Sequence, residues 1–202
     1  MRFRILLALG LLPALASAQQ GTYVVRQNGA EIGRERLTSR AGTERSADGS
    51  TLEVESQYRD GGVSALLQRA ANGDIVLFRL RTRDALPATI LGATSGGRLT
   101  LRREERGAES AREVPARPGT LLLDEQAWTL LQATVDLATG RGTSLTLVFP
   151  RSSRTYRVLA LRDGRTVTIS GELLATLQLD AAGRFTRADV PGQGLSIVRQ
   201  AD

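Results

Sequence analysis

Apolar residues recur at every second position, in short runs, through most of this 202-residue chain. From Thr51 to Tyr58, Leu52, Val54 and Tyr58 fall on one face and Glu53, Glu55 and Gln57 on the other. That period of two describes a half-buried strand. Asn28-Gly29 separates the runs Tyr23–Gln27 and Ala30–Ile32, and this dipeptide favours a two-residue hairpin turn because both positions need positive φ. Further strands are predicted over Val63–Ala70, Ile75–Thr82 and Arg98–Arg103. In the second half they cover Ser144–Phe149, Thr155–Leu161, Thr166–Ser170, Leu173–Leu179, Phe185–Val190 and Leu195–Val198. Asp60-Gly61-Gly62, Asn72-Gly73-Asp74, Asp163-Gly164 and Ala182-Gly183 punctuate them. The pattern predicts an all-β, mainly antiparallel domain: a curved sheet or incomplete β-barrel of about ten to twelve strands.

One segment departs from this period. Asp124 to Leu137 carries Trp128, Leu131 and Val135 at helical spacing, without internal Gly or Pro, and Asp124 can cap its start. A helix near 124–137 is therefore expected on the concave face of the sheet. Two polar stretches, Ser39–Ser50 and Glu104–Pro118, read as loose surface segments.

The first eighteen residues belong to a different class. Arg2 and Arg4 precede an apolar run from Ile5 to Leu15, and Ala16-Ser17-Ala18 follows. A basic start, a short apolar core and small residues predict a secretory signal peptide, cleaved after Ala18. The run is too short to span a membrane, which takes about 20 residues. The mature chain is then a single domain over 19–202, periplasmic or secreted, with no integral membrane span. It has no Cys to form disulfides, so burial alone must hold it together.

Charge changes the picture little. The 27 basic residues are all Arg, against 21 acidic ones, for a net +6; Arg2 and Arg4 leave with the leader. Basic and acidic residues interleave, as in Arg34-Glu35-Arg36 and Arg103-Glu104-Glu105-Arg106, which reads as a mixed solvated surface. A nucleic-acid binder shows a clustered basic stripe instead. Absent residue types matter more. With no His, no Lys and no Cys, triads, Schiff bases, thiol nucleophiles and thiolate metal sites cannot be built. Carboxylate pairs remain, yet Glu53/Glu55 and Glu104/Glu105 read as solvated, whereas acid–base work needs one buried member of raised pKa. No calcium-loop spacing occurs. The chain is expected to be neither an enzyme nor a holder of a cofactor or metal.

Tyr23-Val24-Val25, Asn28-Gly29 and Ile32-Gly33-Arg34-Glu35, with Leu177–Phe185 and Val190-Pro191 near the end, resemble the opening and closing hairpins of a group of exported bacterial β-rich proteins of unknown function. That group is distantly similar to the periplasmic lipoprotein carriers LolA and LolB. The resemblance implies a curved antiparallel sheet with a helix on its concave face; similar β domains also accompany α/β-hydrolases as accessory modules.

The leading expectation is an exported, non-catalytic protein that binds an apolar or amphiphilic ligand, such as a lipid, in the sheet concavity. Leucines including Leu66, Leu80, Leu99, Leu147, Leu174 and Leu177 would line it. Trp128, Leu131 and Val135 would form the lid, and Arg151 and Arg154 would offer guanidinium forks at the rim. The alternative is a module with a solid core that docks onto an envelope protein or hydrolase. A carboxylate-based hydrolase comes third.

Overall fold

The computed structural model describes residues 18–43 and 48–201; the predicted leader lies outside the described residues, apart from Ala18. Among the described residues fifteen strands form one sheet. In the first half they are β1 (Gln19–Gln27), β2 (Ala30–Ala41), β3 (Ser50–Tyr58), β4 (Val63–Arg69), β5 (Ile75–Thr82), β6 (Ala88–Ser95), β7 (Arg98–Glu105) and β8 (Ala108–Pro115). The short β9 (Thr120–Leu122) precedes a 3-10 turn (Trp128–Leu131) that runs into helix α1 (Gln132–Leu137). Then follow β10 (Thr143–Phe149), β11 (Arg154–Asp163), β12 (Thr166–Gly171), β13 (Ala175–Leu179), β14 (Phe185–Val190) and β15 (Leu195–Arg199).

The spatial order is two meanders joined at the chain ends. β1 to β8 run outward one way, β15 back to β10 the other, and β1 pairs with β15, placing Val25 opposite Ile197. Each meander follows from hairpin chemistry. Asn28 and Gly29 both take positive φ, 51° and 84°, as their turn requires. Every named pairing is antiparallel except β9 with β10. Parallel neighbours cannot be joined by a tight turn and need a crossover. The segment 123–142 is that crossover, and it carries the helix into the concavity of the sheet.

The all-β expectation holds, with fifteen strands where about ten to twelve were predicted. The additional strands come mainly from segments with weak alternation. Glu104–Pro118 is not loose: Glu105 and Ala108 close a hairpin through Arg106 and Gly107, both at positive φ. The helix is shorter than predicted. Asp124 does not cap it; its carboxylate accepts the Gln126 N–H at 2.9 Å and its carbonyl the Ala127 N–H at 3.0 Å. Those bonds close a turn, and helical structure starts at Trp128.

The helical segment is buried from Trp128 to Val135 without interruption. Trp128, Leu131 and Val135 mark one face, but Leu130 and Ala133 are apolar on the other. A helix with apolar residues on opposite faces belongs inside a core, and the curled sheet encloses this one. Its neighbours include Phe149, whose ring centroid lies 5.8 Å from that of Trp128. Leu66 instead lies on the outer face, since Val63, Ala65 and Leu67 turn inward on β4. Leu174 is exposed. Among the described residues no helix is long and apolar enough to cross a membrane.

Candidate functional site

The chemistry of the interior is concentrated where the helix meets the sheet. On β2, Gly33, Glu35 and Leu37 share the inward face, with Arg34 and Arg36 outward. Glu35 is 1 % exposed, so this member of the Arg34-Glu35-Arg36 run is not the solvated surface group that its neighbours indicate. Its Oε1 accepts the Trp128 peptide N–H at 2.9 Å and its Oε2 the Thr129 N–H at 2.7 Å. The first peptide groups of a helix have no partner within it, and Ala127, at the cap position, supplies none from its side chain. Glu35 caps the segment from 93 residues away in sequence.

Tyr58 completes this clasp. Gly33 stands opposite Tyr58 in the β2–β3 register. A Cβ on Gly33 would lie only 2.6 Å from the Tyr58 ring, so glycine leaves the ring room to lie across β2. From there the Tyr58 hydroxyl donates to Glu35 Oε1 at 2.5 Å. Burial pushes the Glu35 carboxyl above the usual carboxylate range, and the Tyr58 hydroxyl and the Thr129 and Trp128 N–H groups pull against that rise. Burial and the Glu35 charge together raise the Tyr58 phenol.

A second buried acid lies next to this clasp. Asp124 is 0 % exposed and is gripped by Arg151, Nε to Oδ2 at 2.8 Å and Nη2 to Oδ1 at 2.9 Å. Asp84 stands 3.8 Å from the same guanidinium. Burial lifts Asp124 to about 6, opposed chiefly by Arg151. The far end of the helix has its own fastening. Arg69 donates to Asp136 at 2.8 Å and reaches the Ala133 carbonyl at 3.4 Å. Gln132 donates to Asp136 at 2.9 Å and accepts the Phe185 N–H at 3.1 Å. Desolvation against the helix raises Asp136, although its side chain is 34 % exposed, and Gln132 and Arg69 oppose that rise; burial lowers Arg69.

These acids have a measurable consequence. A carboxyl whose pKa is higher folded than unfolded binds its proton more tightly in the native state. Its contribution to stability is then complete below the unfolded value near 4 and is lost as pH rises through the folded value. Glu35, Asp124 and Asp136 all act in this direction. Asp124 alone, shifted from 3.8 to about 6, is worth on the order of 3 kcal/mol between those limits. Asp180 acts oppositely. Burial lifts it, but Arg184 and the Ala182 N–H outweigh that and hold it low, so its contribution disappears only at more acid pH. The melting temperature is therefore expected to rise as pH falls from 7.5 to 4.5. A lower melting temperature at 4.5 in a calorimetric series would contradict this assignment.

As chemistry, the arrangement fastens a helix. The Glu35 and Asp124 carboxylates have their oxygens engaged by protein donors and are sealed from solvent. Among the described residues no three acidic side chains converge on a metal position. The structure places Trp128, Leu131 and Val135 in the core that fills the concavity. Arg151 is ion-paired with Asp124 rather than free at a rim, and Arg154 is exposed with no ion pair among the described residues, so the two do not form one fork. A cavity of about 160 Å³ opens between the start of β1 and α1, walled by Tyr23, Leu37, Gln132, Asp136, Arg184 and Arg199. Small-molecule sites run from about 300 to 1,000 Å³ and are mostly apolar; this one is smaller and largely polar. Sequence reasoning missed Glu35, Tyr58 and Arg69. The signal available for Glu35 was its position two residues before Leu37, on the inward phase of β2.

No family model matches this chain, and no curated protein matches it. Among solved structures it is similar to a DUF1089 family protein from Pseudomonas aeruginosa, with 14% identity, coverage of 95% of this chain and 98% of that chain, and a TM-score of 0.43. No link to the lipoprotein carriers LolA and LolB is shown.

Proposed function

We propose that this chain is an exported, non-catalytic β module that works through its surface, docking an extended segment of an envelope protein along the free edge strand β8. The observation carrying this reading is that the concavity reserved for a ligand is occupied by the chain's own helix. Eight consecutive residues of that helical segment are buried, and each large apolar side chain among them is worth about 1.5–3 kcal/mol of burial. Emptying the concavity would cost a large part of a domain's total stability of about 5–15 kcal/mol.

The two sheet edges differ. β9 is three residues long and entirely buried. β8 is eight residues long, mostly exposed on both faces, and terminal in the sheet. An uncovered edge offers a row of backbone N–H and C=O groups to an added strand. Glu109, Arg112, Glu113 and Pro115 on β8 discourage pairing by any apolar strand, which leaves a segment of matching charge as the favoured occupant.

The test uses the protein purified from its own envelope, with a photocrosslinking residue at Ala111 on β8 or at Gln57, exposed on β3. One discrete polypeptide adduct from Ala111 and none from Gln57 are expected. Absence of an adduct from Ala111, or equal labelling from Gln57, would overturn the docking reading.

A further inference from the structure

The outer face of the sheet contains an apolar groove far from β8 in strand order. On β11, Val158 and Ala160 turn inward, so Arg157, Leu159 and Leu161 point out. Leu159 is 45 % exposed and Leu161 42 %. Large apolar side chains on a strand's outer face normally shelter under neighbours. Here the cross-strand partners of Leu159 are Ser144 on β10 and Ser170 on β12, too short to cover it. Gly142 and Gly171 keep the flanks low. Both take positive φ; a Cβ at Gly142 would stand 3.1 Å from Leu159, and one at Gly171 2.7 Å from the Arg157 carbonyl oxygen.

The segment before β9 raises the opposite wall. The Gly119 carbonyl accepts the Thr146 N–H at 3.0 Å, which holds Arg117 and Pro118 beside β10. The open groove measures about 460 Å³, with Pro118 and Leu159 among its lining and Arg117 and Arg157 beside them. That volume lies in the range of small-molecule sites. The Arg117 and Arg157 side chains make no hydrogen bond or ion pair among the described residues; only their main-chain groups are engaged, by Thr120 and Glu172 among others. Glu172 takes the Arg157 peptide N–H at 2.6 Å, so this acid is directed to the backbone rather than to the guanidinium. Aliphatic walls with two unpaired guanidinium groups complement one ligand chemistry: a hydrocarbon chain ending in a negative charge.

We propose that this groove binds a monomeric anionic single-chain amphiphile, its carboxylate or phosphate held by Arg117 and Arg157 and its chain lying over Pro118 and Leu159 toward Leu161. The site goes beyond the docking reading and does not depend on it, because none of the residues lining it belongs to β8.

The experiment titrates the full mature chain with dodecanoate, and separately with dodecanol, both below their micelle concentrations, following backbone amide NMR shifts. Saturable dodecanoate binding is expected, with shifts at Ser144–Thr146, Arg157–Leu161 and Ser170–Gly171 and none around Trp128. Arg117→Gln and Arg157→Gln, both at exposed positions, should each weaken dodecanoate about tenfold, the scale of one charge-assisted hydrogen bond, and leave dodecanol unchanged. Leu159→Ser should weaken both ligands. The proposal is overturned by the absence of saturable binding, by affinity indifferent to both Arg substitutions, by shifts centred on Trp128, or by binding to phosphatidylglycerol vesicles without any binding of monomer. Crosslinking from Ala111 is read separately, so either idea can fail while the other stands.

Discussion

Replacing Glu35 by alanine is expected to destabilise the fold by about 4 kcal/mol and to free the helical segment from the sheet. The substitution leaves the Trp128 and Thr129 N–H groups and the Tyr58 hydroxyl without their acceptor. Each buried polar group left unsatisfied costs about 1–3 kcal/mol, and relief from desolvating a carboxylate returns part of the total. In a domain of this size, where 1 kcal/mol moves the melting temperature by about 2–4 °C, the shift should be on the order of 12 °C. Glu35→Gln keeps one oxygen as acceptor but turns an NH₂ toward a donor, so it should lose about half as much. Trp128 gives an independent signal, because undocking would move its emission toward the red. A Glu35→Ala variant within 1 kcal/mol of the parent would show that packing alone docks the helix.

The second large effect is expected at Arg151. With Arg151→Met the Asp124 carboxylate stays buried and loses both bonds of its bidentate partner. Breaking one side of a buried pair typically costs about 3–5 kcal/mol; Arg151 is partly exposed, which places the expected loss near the lower end, at about 3 kcal/mol. Two features separate this from a simple packing defect. The loss should shrink on acidification, because an unpaired Asp124 takes up a proton above its present value of about 6. Adding Asp124→Leu to Arg151→Met should restore most of the stability at pH 7.5, since replacing both partners removes the stranded charge. Urea denaturation of the four proteins of this cycle at pH 7.5 and 5 measures both. A pH-independent loss, or no recovery in the double variant, would mean that Arg151 acts by packing.

Much of the sheet was legible because local chemistry specified it. Leu52, Val54 and Tyr58 alternate with charged and polar partners, and β3 buries the face that this period indicates. The chain turns at Asn28-Gly29 and at Gly164 because the positive φ needed there is met on the spot. β8 was illegible for the converse reason: exposed on both faces, it has no reason to alternate. β6 is rich in small and polar residues, with Gly92 beneath Leu101 and Leu122, so its strand character comes from its neighbours. Trp128, Leu131 and Val135 were correctly read as helical and apolar, but a one-faced lid and a core helix share those positions. Leu130 and Ala133 decide between them once the sheet is known to close around the segment.

The sequence by itself determined an all-β meander, its turns and the presence of one apolar helix, because period, glycine conformation and side-chain size act within a few residues. Only the tertiary structure decided what the charged residues do. Glu35 caps a helix 93 residues away, Asp124 turns from cap to buried ion pair, and Arg157 remains free beside exposed leucines. A carboxylate's role depends on which donors the fold brings to it and on whether water is kept out. Both are set by pairings between distant strands, above all the junction of β1 with β15.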